Sequence, residues 1–337
     1  MPISHRTVEG LRSALDGVAD LDYPPLHGRH VAVGATCGIG HRLLRNARIF
    51  HAARSAGYAV GIDWFPWAEL FADDGDLFAA HGDSVPSFRF GNEPGEIRET
   101  TASAGAPPIT LFGDLVVAAP RPIEVVDLSK HERWRREVFS PAATDHLVDF
   151  HRRMLGALLP RWRRRVNRFL ERSIGDRRMV AVHLRTGNGE TGDFVDKERN
   201  VTSELVMTRF ASALRRHDPG ETVVFVASDS AETVDLLRSL TSHEVCSFAE
   251  ALPVSGFFTG NYTAENSSPV TELDEPGRVE QFFEAYADMV LLAMADDLYA
   301  GAYSSFLAGP FAVNRARAHR GTTSWVYDSA TERWRST

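Results

Sequence analysis

The residues best suited to chemistry form one run, His183-Leu-Arg185-Thr-Gly187-Asn188-Gly189-Glu190, which closes the apolar stretch starting at Met179. Arginine offers a planar, permanently charged fork that fits phosphate, and the glycines let backbone N–H groups approach the same anion. Glu190 is a carboxylate able to take a proton from a nearby hydroxyl. An apolar, β-branched stretch opening into glycine is a strand entering a loop. In α/β sheets the carboxyl ends of strands face the ligand crevice. The run therefore reads as an anion site with chemistry beside it.

Two further strand ends carry polar groups, Phe225-Val-Ala-Ser-Asp229-Ser and Asp297-Leu-Tyr-Ala-Gly-Ala-Tyr-Ser304-Ser305. Ser304 and Ser305 begin a predicted helix, where hydroxyls and free N–H groups either bind phosphate or cap the helix. Asp229 with Glu232 reads equally as a capping box or as a carboxylate facing a ligand. His183 has two readings as well, ligand-facing or a satisfied core histidine. Asp193 and Asp196 stand in for Glu190 if the base lies elsewhere.

Positioning these groups requires α/β grammar, and the chain has it twice. His30–Gly34, a tight turn, a helical face of Leu43, Leu44, Ala47 and Phe50, and Tyr58–Asp63 spell strand, helix, strand. Residues 65–110 are aromatic, acidic, then rich in Gly and Pro, and yield no clear pattern. Ile109–Phe112 and Leu115–Ala119 are strand candidates. A helix starts at Ser140-Pro141 and is interrupted at Pro160. Its second half sets arginines opposite Trp162, Val166, Phe169 and Leu170, a solvated basic face over an apolar stripe. The second series runs Met179–Leu184, a helix over Leu205–Leu214, Thr222–Ser228, a helix over Val234–Leu240, and a strand at Val245–Phe248. A long polar stretch at 253–279, a helix over Val279–Ala295 and strands near Leu298–Gly301 and Ser324–Asp328 complete it. Two α/β halves facing a cleft follow, 1–175 and 176–337, with the last 20 or so residues expected to pack back on the first half.

Composition narrows the classes. A length of 337 residues favours two domains, and a net charge of −8 argues against nonspecific nucleic-acid binding. Two cysteines, Cys37 and Cys246, make no disulfide framework or zinc motif. The N-terminus has no secretory pattern, and the apolar stretch Met289–Gly309 is broken by Asp296 and Asp297, so a cytoplasmic protein without a membrane segment is expected.

Two motifs mislead. Gly34-Ala-Thr-Cys-Gly38-Ile-Gly40, with Asp63 ending the next strand, resembles the nucleotide fingerprint of short-chain dehydrogenases. Those enzymes pair a tyrosine with a lysine four residues on. Only Lys130 and Lys197 exist, and they follow Val126 and Asp193. Gly38 and Gly40 are then turn residues bordering a ligand. Asp74-Gly-Asp76 mimics a metal-holding Asp-x-Asp turn but reads as a solvated loop.

Together the three strand-end blocks resemble those of the fucosyltransferase superfamily, which includes nodulation (NodZ-type) α1,6-fucosyltransferases, core α1,6-fucosyltransferases and protein O-fucosyltransferases. The NodZ type is nearest, because its first block also reads His-x-Arg-x-Gly-Asn-Gly-Glu. The resemblance spans residues 177–315, with an echo at Gly38-Ile-Gly40-His41-Arg42-Leu43. It implies a GT-B-like fold of two Rossmann-like domains, a GDP-fucose donor, an acceptor glycan or small molecule, inversion at the anomeric carbon, and neither metal nor other cofactor. It further implies Arg185, the Gly187–Gly189 loop, Ser304 and Ser305 on the diphosphate, Asp229 on the guanine or ribose, His183 near the donor, and Glu190 as general base. Thr186 stands where eukaryotic members carry a second basic residue and the NodZ type a histidine, which leaves room for another GDP-hexose or activated sugar. The competing readings are a noncatalytic nucleotide-sugar binder and an NAD(P)-dependent dehydrogenase.

Overall fold

A computed structural model describes residues 6–18, 21–26, 28–33, 39–55, 57–62, 66–79, 87–90, 97–100, 109–112, 115–118, 141–184, 204–228, 230–249, 275–301, 304–318, 321–328 and 333–336. In chain order the elements are α1 (Val8–Leu15), β1 (Gly28–Val33), α2 (Ile39–Ser55), β2 (Tyr58–Ile62), α3 (Trp67–Leu70), β3 (Leu77–Ala79), β4 (Ser87–Phe90), β5 (Ile97–Thr100), β6 (Ile109–Phe112), β7 (Leu115–Ala118), α4 (Pro141–Ala157), α5 (Pro160–Phe169), β8 (Arg178–Leu184), α6 (Glu204–Leu214), β9 (Thr222–Ser228), α7 (Ala231–Leu240), β10 (Glu244–Cys246), α8 (Glu275–Met294), β11 (Asp297–Ala300), α9 (Ala308–Ala316), β12 (Thr323–Asp328) and β13 (Arg333–Ser336).

Two sheets share one plan. The first has the order β3-β2-β1-β4-β5, the second β10-β9-β8-β11-β12-β13, and β6-β7 form a separate hairpin. All pairings within the two large sheets are parallel except the edge pairs β4–β5 and β12–β13. Each sheet thus grows one way from its first strand and then the other way, the doubly wound arrangement.

β8 shows why an uninterrupted apolar run suits this place. Every residue from Met179 to Leu184 is buried. Met179 and Ala181 join a core cluster shared with α2, α4, α8 and α9, whereas Val180, Val182 and Leu184 join a second cluster with Phe210 and Leu237. Helices on both sides bury both faces, so no polar alternation is needed. The larger cluster runs without a break from Phe50 and Phe150 on the first-sheet side to Phe283 and Phe311 on the second.

Pro160 occupies the first turn of α5, where its missing N–H costs nothing. A single π-helical segment, Leu170–Ile174, and Gly175 at φ 59° then turn the chain into β8. Along α5, Val166 is buried while Arg161, Arg163 and Arg165 pair with Glu69, Glu9, and Glu280 with Glu284.

Some expectations hold and others need correction. Asp74-Gly75-Asp76 is the exposed loop expected, shaped by a turn in which Asp74 Oδ1 accepts from the Asp76 and Leu77 amides, while Asp76 pairs with Arg54 and Arg153. β12 and β13 extend the second sheet instead of returning to the first half. It is the N-terminal end that crosses over. Arg6 donates to the Arg177 carbonyl at 2.8 Å and to Asp296 at 2.7 Å, and Thr7 caps α1 by accepting from the Gly10 amide. The pattern-poor stretch after residue 65 contains α3, β3, β4 and β5.

Candidate functional site

Register brings the three blocks to one edge. His183 on β8 lies opposite Ala227 on β9 and Ala300 on β11, and Leu184 lies opposite Ser228. The order of the second sheet reverses between β8 and β11, and in such sheets ligands sit at the carboxyl ends beside that reversal. Arg185 and the Gly187-Asn188-Gly189-Glu190 loop follow directly on Leu184, and Asp229 follows Ser228. All six of these, with Gly38, lie outside the described residues.

The turn after β11 folds back over β8. The Gly301 amide donates to the His183 carbonyl at 3.4 Å. The His183 ring is 8% exposed and stacks on Phe306 with centroids 5.4 Å apart and planes 20° from parallel. Phe306 belongs to a 3-10 turn, Ser305–Leu307, that precedes α9. The serines therefore open a 3-10 turn and not the α-helix itself. Ser304 Oγ accepts from the Phe306 amide at 3.3 Å, and its carbonyl accepts from Leu307 at 3.0 Å. Acting as acceptor, that hydroxyl keeps its own proton to donate.

The second block differs from the capping-box expectation. Ser230, not Asp229, caps α7: its Oγ accepts from the Thr233 amide at 3.3 Å and donates to Glu232 at 2.8 Å. The Ser230 amide in turn donates to Ser228 Oγ at 3.2 Å. Both serines are committed to the turn, so capping makes no demand on Asp229.

Solved structures share this fold. NodZ α1,6-fucosyltransferase soaked with GDP-fucose superposes with a TM-score of 0.52 at 13% identity, covering 93% of this chain and 99% of that one. Fucosyltransferase NodZ from Bradyrhizobium gives 0.51 at 16% identity, again covering 93% and 99%. FUT1 of Arabidopsis thaliana in complex with GDP gives 0.51 at 13% identity, covering 96% and 75%. The fold is that of the NodZ fucosyltransferases. No protein-family model and no curated protein matches the sequence.

Within this NodZ-type fold, α2 reaches the same edge and also packs against α8. Gly40 is buried in the first turn of α2, and α2 packs on the 3-10 turn that holds Ser305. Arg42, 6% exposed, lays its guanidinium 5.2 Å from the centre of the Phe282 ring on α8. Asp288, also on α8, escaped the sequence reading. Desolvation, reinforced by Glu284 one turn earlier, holds its carboxyl well above the usual carboxylate range. Perturbed carboxyls of this kind concentrate at ligand sites. A signal was present: a single aspartate inside the apolar run Phe282–Met294, with no arginine or lysine within four residues.

Cys246 is no rival nucleophile, since burial pushes its thiol up to about 12. No helix among the described residues is long and apolar enough to cross a membrane, and no described group of three or more His, Cys, Asp or Glu is placed to hold a metal ion.

Proposed function

We propose that this protein is an inverting, metal-independent glycosyltransferase that moves L-fucose from GDP-fucose to a hydroxyl of a glycan or small-molecule acceptor. The observation that carries the reading is the convergence of three chemistry-bearing strand ends at the order reversal of the second sheet. The NodZ and FUT1 structures that share the fold are described with GDP-fucose and GDP. In this reading residues 1–175 form the acceptor-side domain, residues 176–337 the nucleotide-sugar domain, and the two make a GT-B pair around a cleft. The compartment is the cytoplasm.

The chemistry follows from charge. As the bond between C1 of the sugar and the diphosphate oxygen breaks, negative charge builds on the departing GDP. Arg185, the Gly187, Asn188 and Gly189 amides, and the Ser304 and Ser305 groups meet that charge, as preorganised donors do at other developing anions. The acceptor oxygen attacks C1 from the opposite face, and Glu190 takes its proton. One C–O bond forms, one breaks, and configuration inverts. Asp229 holds the guanine or ribose, His183 lines the donor side, and Gly38 and Gly40 border the ligand.

A melting-temperature panel tests the donor. GDP and GDP-fucose should stabilise the protein; UDP, dTDP and NADP should not. A larger shift with NADP would favour the dehydrogenase. Saturable GDP binding with no hydrolysis of any GDP-sugar would leave a binding protein. Transfer to chitin oligosaccharides and other glycans should continue in EDTA and stop in Glu190→Gln, whose GDP affinity stays intact. A strict Mn²⁺ requirement would overturn the metal-free route.

A further inference from the structure

We propose that His151, on α4 and so on the first-sheet side, is a positioning residue that seats the donor-facing Ser304–Leu307 turn by packing against Gly309. The inference rests on the donor reading above. α9 begins one residue beyond that turn, and Ala308 through Asn314 are all buried, so the helix has no solvent face over its first two turns. Its position is set by its neighbours, of which α4 is a principal one.

The decisive contact is between a glycine and a ring. A Cβ at Gly309 would overlap Nε2, Cε1 and Cδ2 of His151. The ring has little room to retreat: it is 8% exposed and meets Phe150 edge-on, with centroids 6.0 Å apart. α2 holds the 3-10 turn itself, and Leu307 is fully buried. The turn is thus clamped by α2 directly and by α4 through α9. The imidazole edge meets the opening turn of a helix, where the dipole is positive, which tolerates a neutral ring and repels an imidazolium. Burial lowers the His151 pKa to about 4, consistent with a neutral ring. One unit of the molecule thereby sets the geometry of a motif in the other.

The test is calorimetric GDP binding by the full chain, well below its melting transition. Gly309→Ala should bind GDP about tenfold more weakly and His151→Ala severalfold more weakly. Combining Gly309→Ala with His151→Ala makes space for the added methyl and should return affinity to within about threefold of the parent. Amide exchange over 305–313 should quicken in Gly309→Ala and slow again in the pair. Should Gly309→Ala fail to fold, His151→Ala carries the binding test alone. A lowered melting temperature with parental GDP affinity would reduce His151 to a packing residue and end the proposal. If the parent protein binds no GDP, the donor reading fails, while amide exchange still decides whether His151 seats the turn.

Discussion

The amino end of the second sheet and helix α8 treat charge in opposite ways. At the amino end Asp296 and Asp297 are both partnered. Asp296 accepts from Arg6 and from the Met179 amide at 2.9 Å, Asp297 binds Arg178 at 2.6 Å and takes the Thr323 hydroxyl, and His217 Nε2 lies 3.3 Å from the Tyr299 hydroxyl. At the carboxyl end the flanking serines close their own turns, whereas α8 carries Asp288, whose pKa is raised by burial and by Glu284. A closed network spends its electrostatics on the fold, whereas an unbalanced group keeps interaction energy for a ligand. The contrast sets a closed ion-pair network against a buried carboxyl without such a network of its own.

The sharpest way to break the contrast is to remove an arginine from each end. Arg185→Ala should lower transfer about a hundredfold or more, the scale for losing one donor at developing charge. Arg178→Ala should leave transfer within about threefold and lower the melting temperature. Equal losses of transfer would erase the distinction. Next in size, Asp296→Asn leaves Arg6 buried without its counter-charge. It should cost about 3 kcal/mol in urea unfolding, as breaking buried pairs does, with GDP affinity unchanged.

Asp288→Asn sharpens the comparison from the other side. A carboxyl whose pKa is raised by the fold contributes stability at low pH and loses it as pH rises through the folded value. The asparagine variant should therefore melt higher than the parent at pH 8, and the gap should close towards pH 4. Its GDP affinity should fall about tenfold; parental affinity would make Asp288 a packing residue. The smallest effect concerns His217. Burial lowers its pKa, against the pull of Asp297, so its contribution is full above the ordinary histidine value and is lost as pH falls towards the folded value. His217→Gln should flatten the decline of melting temperature below pH 6.5, and an unchanged slope would rule that contribution out.

Legibility in the sequence followed burial and local chemistry. β8 and β9 were plain because strands buried on both faces read as unbroken apolar runs. Pro160 and the Ser140-Pro141 start announced their helices through backbone geometry that needs no partner. β13 (Arg-Trp-Arg-Ser) was not legible: it is an edge strand with Arg333, Arg335 and Ser336 exposed, held by pairing with β12. α1 depends on its cap at Thr7 and on α4 and α5, with which it packs. The Ser230 cap was missed because two serines flank Asp229 and only the backbone path selects which one reaches the Thr233 amide.

From composition and order alone came the two α/β series, the three blocks with Arg185 and Glu190, and the resemblance that names a GDP-sugar, because motif chemistry and apolar period are local properties. Tertiary structure alone decided that the strand ends meet where β8 and β11 part the strand order, that burial beside Glu284 raises the Asp288 carboxyl, and that His151 rests on Gly309. Those facts depend on which distant segments become neighbours, and that is settled by packing and register across the whole chain.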